Sequence, residues 1–188
     1  NPFQGAGELS VWEAAANADG YINFNDADKI GNGIDHYVVY AMTYLENLTG
    51  GCLPATLEVS TDDAAKVRVN GQLVFTDPTC GGVAGYGGGD MVPVILVPGV
   101  NVILVGIAES GGGNGIRLVV RDADMNPLLD GSVVASCEPP AGYPTIVDVV
   151  ATRVIDPITT NTPDGDPVTV TINTTGVVGA TEIVDTFP

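Results

Sequence analysis

Oxygen-bearing side chains at calcium-loop spacing run from Asn17 to Asp26. Counting Ala15 as position one places Asn17 at three, Asp19 at five, Gly20 at six, Ile22 at eight and Asp26 at twelve, the pattern of a helix-flanked calcium loop. Ala15 offers no oxygen at the first position and no helical periodicity flanks the segment. The same residues also read as a turn followed by a strand at Tyr21–Phe24. A second carboxylate pair, Asp62 and Asp63, is adjacent in sequence. Glycoside hydrolysis needs two carboxyls facing each other across one bond, and neighbours on an extended chain point to opposite faces, so the pair is expected to bond its own turn instead. His36 is the single histidine, and Cys52, Cys80 and Cys137 are scattered, which argues against zinc. With no G-x-S-x-G elbow and no cofactor fingerprint, the chain is not expected to be an enzyme and needs no cofactor. Tyr86, set among glycines, is the best platform for a sugar, because Trp12 sits in the apolar run Leu9–Trp12 and is expected to plug the core.

Composition sets the class that must position these residues. The chain has 188 residues, with 25 Gly and 13 Pro, abundant Val and Thr, and 45% apolar content, which points to many short strands and many turns in an all-β fold. Twenty-three acidic residues against six Lys and Arg give a formal charge of −17. Such a surface repels nucleic acid and anionic membranes, and it either binds divalent cations or keeps the protein soluble. No apolar run reaches the roughly 18 residues that a membrane-spanning helix needs.

The strongest local signal is Lys66–Phe75. Val67 and Val69 alternate with Lys66 and Arg68, and Asn70-Gly71 supplies the two positive-φ residues of a type I′ hairpin, after which Leu73 and Phe75 are expected to resume the apolar face. Strands are also expected at 36–48 and 55–60, paired across Thr49-Gly50-Gly51. Met91–Val97 and Asn101–Ala108, split by Pro98-Gly99, read as strands buried on both faces. Ile116–Arg121 follows as a strand, which rules out a phosphate loop at Ser110–Gly115 because no helix begins there. Asp122–Asn126 forms a turn and Pro127–Ala135 a last strand. Six glycines in Thr79–Asp90 make a loop that wraps the surface or meets a partner. Residues 137–144 read as a linker between a sandwich at 1–136 and a segment at 145–188 with strands at 145–155, 167–174 and 180–187. Three strands bury too little apolar surface to stand alone, so their face is expected to pack on another part of the chain, on further sequence or on another copy.

Cys52 and Cys80 lie beside turn residues, as loop-stapling cysteines do, and a disulfide between them would close a loop around the hairpin. Cys137 would then be left as a buried free thiol or an intermolecular link. Asn47-Leu48-Thr49 and Asn173-Thr174-Thr175 are glycosylation sequons. The absence of an initial Met and of a leader fits a processed or excised segment of a secreted, extracellular or cell-surface protein.

At Asp19–Asn23, Tyr40–Tyr44, Ser60–Gly71, Pro98–Asn101 and Gly113–Leu118 the chain resembles secreted bacterial β-sandwich modules of the galactose-binding-like and protective-antigen type. The resemblance covers roughly residues 9–130, and it implies a jelly-roll sandwich. In calcium-dependent adhesins of that type an Asp-Asp pair holds a calcium that grips sugar hydroxyls, which carries over here to Asp62 and Asp63. The segment from Thr145 resembles the opening of an immunoglobulin-like domain of bacterial surface arrays, incomplete on its own. Two functions follow as expectations. The first is a structural subunit that self-assembles with other copies, as a filament or surface layer, by completing exposed sheet edges. The second is a lectin-like, calcium-assisted module of a larger secreted protein that binds a glycan and serves cell adhesion.

Overall fold

The computed structural model describes residues 20–24, 37–79, 81–85, 87–109, 111–128 and 131–136, together with strands at 145–153, 168–175 and 182–187. The protein is all-β. Its strands are β1 (Tyr21–Asn23), β2 (Tyr37–Asn47), β3 (Leu53–Asp62), β4 (Ala64–Val69), β5 (Gln72–Asp77), β6 (Asp90–Leu96), β7 (Gly99–Glu109), β8 (Gly115–Arg121), β9 (Val133–Ser136), β10 (Thr145–Arg153), β11 (Val168–Thr175) and β12 (Glu182–Phe187). The chain divides into two compact units, with the boundary between Pro140 and Ala141. Among the described residues no helix is long and apolar enough to cross a membrane.

In the first unit a four-stranded sheet, β1-β8-β3-β6, faces a five-stranded sheet, β5-β4-β7-β2-β9, and all pairings are antiparallel. Alternate side chains of both sheets meet in one core. Leu57, Val59, Val94, Leu96, Ile116 and Val120 come from the first sheet, and Val39, Leu45, Val67, Ile103, Val105 and Ile107 from the second. Removing this apolar surface from water is the main force that holds the layers together.

Of the connections between consecutive strands among the described residues of this unit, only β4–β5 joins neighbours in one sheet. Asn70 and Gly71 have φ of 51° and 80°, as a type I′ turn requires. The register then slips: Val67 faces Phe75 while Arg68 faces Leu73, which leaves Val74 as the extra residue of a bulge. Because of that bulge Leu73 and Phe75 do not share a face. Leu73 is exposed opposite Arg68, and Val74 and Phe75 pack against the core.

Three other strand expectations change. β2 does not pair with β3, since Thr49-Gly50-Gly51 carries the chain across to the opposing sheet and β2 lies between β7 and β9. β6 is an edge strand whose Val92, Val94 and Leu96 are buried while Met91, Ile95 and the adjoining Val97 are exposed, so only β7 is buried along most of its length. The strand expected from Pro127 shrinks to Val133–Ser136, with Pro127 making an isolated bridge to Arg121.

A buried amide network closes the sandwich end where β2 passes to β3. Asn47 donates to the carbonyls of Leu96 and Gly51, at 3.0 and 2.8 Å, and its own oxygen accepts from Thr49 N and Oγ1. Asn101 donates to Val97 O and accepts from Val97 N and Asn70 Nδ2, which fixes the Val97–Gly99 crossing against the hairpin turn. Every polar atom of these two side chains finds a partner, as burial demands.

In the second unit β10, β11 and β12 form an antiparallel sheet with β11 in the centre, and a register shift between Ile146 and Asp148 interrupts the β10–β11 ladder.

Candidate functional site

At the far end of β3 the chain bends at Asp63 and enters β4, crossing from the four-stranded to the five-stranded sheet. The β7-to-β8 connection makes the reverse crossing beside it, because Asp62 registers with Gly115 and Ala64 with Ala108. The two crossings therefore form one rim, in which Asp62 lies against Gly113 and Gly115. A Cβ on Gly113 would stand 2.6 Å from Asp62 Oδ2, so the carboxylate rests directly on that glycine's backbone.

Strand alternation does not carry through the pair, since Asp62 ends β3 and Asp63 occupies the bend. The expectation that the two side chains diverge is therefore corrected: their carboxyl groups meet in a hydrogen bond. Burial, the neighbouring Asp63 charge and that hydrogen bond hold the Asp62 carboxyl above the usual Asp range. Asp63 itself is buried.

Asn114 sits between Gly113 and Gly115, both of which meet Asp62. The residue is only 1% exposed, and neither amide atom has a hydrogen-bond partner among the described residues. Its backbone carbonyl accepts from Phe24 N at 2.9 Å, which ties the rim to the segment after β1. A fully buried amide without partners is uncommon and asks for an explanation. Thr61 Oγ1, buried one residue before the pair, is unpartnered as well.

The chemistry offered here is that of hard oxygen donors, with two carboxylates forced together and an amide between two glycines. Calcium takes six to eight such oxygens at about 2.3–2.6 Å, including carbonyls and waters, and a dication removes the repulsion that raises Asp62. The two carboxyls are donors of that kind. Among the described residues no three His, Cys, Asp or Glu side chains come together, so the pair alone supplies the carboxyl oxygens here.

No family model, curated protein or solved structure matches the chain. The site therefore rests on its own geometry.

The other candidates are placed as follows. Asn17, Asp19, Asp26, Tyr86 and Cys80 lie outside the described residues, as do His36, Trp12 and Cys137. Cys52 carries a free, exposed thiol at the opposite end of β3 from Asp62, so the disulfide expected from turn placement is not formed at Cys52. Sequence reasoning passed over Asn114, treating Ser110–Gly115 as a glycine turn. The available signal was a lone amide among glycines, in a position the backbone could approach closely.

Proposed function

We propose that the first unit is a non-catalytic, calcium-assisted binding module for a hydroxyl-rich ligand, a carbohydrate, carried by a secreted or cell-surface protein. The observation that supports it is the meeting of the Asp62 and Asp63 carboxyls at the rim where Gly113 and Gly115 lie against Asp62. A calcium held there keeps open positions toward solvent, and vicinal sugar hydroxyls are oxygen ligands of the right hardness to fill them. The resemblance of the Ser60–Gly71 and Gly113–Leu118 segments to protective-antigen-type and galactose-binding-like modules supports the same reading. The test is an immobilised glycan panel probed with and without calcium. Binding that appears with calcium and disappears with a chelator supports the proposal, and no binding in either condition refutes it.

A second reading, self-assembly into a filament or surface layer, draws on the other unit. Among the described residues β10 and β12 each pair on one side only, so the sheet has two edges available for strand addition from another copy. Its immunoglobulin-like character belongs to this reading. Size-exclusion chromatography with electron microscopy decides it, since a clean monomer at high concentration removes it.

A further inference from the structure

Two polar side chains are sealed between the sheets of the first unit, at the end of its core where β3 meets the start of β8. The β1–β8 ladder pairs Tyr21 with Arg117, Ile22 with Ile116 and Asn23 with Gly115, so the next pair is Phe24 with Asn114, and Phe24 N donates to Asn114 O at 2.9 Å. Directly opposed residues of an antiparallel pair present their side chains to the same face. Phe24 and Ile116 both belong to the core, and Asn114 stands two positions before Ile116, so its amide turns inward with them. Thr61 lies opposite Ile116 on β3 and follows Leu57 and Val59 on the core face of that strand. Asn114 and Thr61 are therefore diagonal neighbours on one inner face, about 7–8 Å apart at the backbone. Both are buried, and Asn114 Nδ2, Asn114 Oδ1 and Thr61 Oγ1 have no hydrogen-bond partner among the described residues.

An amide and a hydroxyl taken out of water without partners carry their full desolvation penalty, so a folded chain keeps such groups where something else bonds them. Their donors and acceptors decide what that is. Asn114 offers two N–H donors and an acceptor oxygen, and Thr61 offers one donor and an acceptor oxygen. A bare cation would satisfy the oxygens and face the amide N–H groups with like charge, and an anion would do the reverse. A sugar has no path to atoms that the chain closes off from solvent. Water both donates and accepts, and with a hydrogen bond of about 2.8 Å on each side it spans about 5.6 Å, a separation that two side chains leaning toward each other from diagonal positions can set. We infer that a structural water is bound on the inner face of the four-stranded sheet, bridging the Asn114 amide to the Thr61 hydroxyl, and that through it the β7–β8 crossing is held to β3. The inference is independent of the calcium reading above, since it needs neither Asp62 nor Asp63.

Oxygen-17 magnetic relaxation dispersion of the full chain tests this, because it counts internal waters that stay bound longer than the protein takes to tumble. Thr61→Val keeps the shape of the side chain and removes its hydroxyl, and Asn114→Leu keeps the size and removes the amide. Both variants and their combination are melted to verify folding and then compared with wild type. The expected result is that each single variant loses one long-lived water and that the double variant loses the same one and no more, since a bridge needs both of its ends. If Asn114→Leu fails to fold, Thr61→Val decides alone, with the loss of one water supporting the inference and an unchanged count overturning it. Wild-type protein without a long-lived water overturns it, as does a folded variant whose count matches wild type. Loss of two waters in the double variant also overturns it, because the two groups would then hold separate molecules and nothing would bridge β3 to the crossing.

Discussion

Replacing Arg121 by Met keeps most of the side chain's length and removes its charge, leaving Glu58 as a buried carboxylate without its partner. Arg121 gives two hydrogen bonds to Glu58 and one, at 2.7 Å, to Met125 O, and both members of the pair are buried. Breaking a buried pair on one side destabilises by about 3–5 kcal/mol, chiefly through the uncompensated charge. With a urea slope of about 2 kcal/mol/M for a domain of this size, the midpoint falls by about 1.5–2.5 M. Protonation state gives a second signature. Burial pushes Glu58 up, but the hydrogen bond from Arg121, the Gly87 and Gly89 amides and the Arg121 charge outweigh it, and the carboxyl lies below the usual Glu range. A carboxyl lowered in the native state contributes stability that is present above its ordinary value and is lost as pH falls through the lowered one. Without Arg121 two of the four influences that lower the carboxyl are gone, so less of that stability remains. The deficit of Arg121→Met against wild type is therefore larger at pH 7 than at pH 4. Urea unfolding at both pH values checks this, and a loss below about 1 kcal/mol, or one that does not change with pH, refutes the account of the buried Glu58–Arg121 pair.

Further outcomes follow from other sites. Asp62 has the opposite sign to Glu58: its raised native value means that its ionised form weakens the fold, an effect that sets in as pH rises through the ordinary Asp range and is complete above the raised value. Asp62→Asn without calcium thus melts higher than wild type at pH 7 and equally at pH 3, and calcium reverses the order at pH 7. The sequon at Asn47 stays unmodified in folded protein from a glycosylating host, because the side chain is 2% exposed and its amide is bonded to Leu96 O and Gly51 O. Mass spectrometry of the soluble fraction reads this. Asn47→Ala lowers stability by about 1–3 kcal/mol by leaving buried carbonyls unpaired, measured by urea unfolding. Gly71→Val strains a residue at φ 80° and lowers stability by about 1–3 kcal/mol, whereas Gly51→Ala, where a Cβ meets nothing within 4 Å, is close to neutral.

Strand existence was legible because alternation is local. Val67, Val69, Val92, Val94 and Leu96 fall on the buried face as their spacing implies, and Asn70-Gly71 fixed its turn through backbone preference alone. Strand pairing was not legible. Thr49-Gly50-Gly51 has the composition of a hairpin, yet the chain crosses layers there, held by Asn47 bonds to carbonyls about fifty residues on. The Glu58–Arg121 pair spans 63 positions and no local pattern announces it. The carboxylate pair was noticed from the sequence but its geometry was misjudged, since period-two reasoning holds within β3 and fails at the bend after Asp62. Asn114 carries no local signal, because its place at the rim depends on β7–β8 running beside β3–β4.

Calorimetric titration of calcium into wild type and Asp63→Asn at neutral pH bears most directly on the rim formed by those two crossings. The account predicts one saturable site in wild type that weakens at least about ten-fold when either carboxylate is neutralised. Wild-type protein that takes up no calcium, or a variant that binds it equally well, contradicts the account.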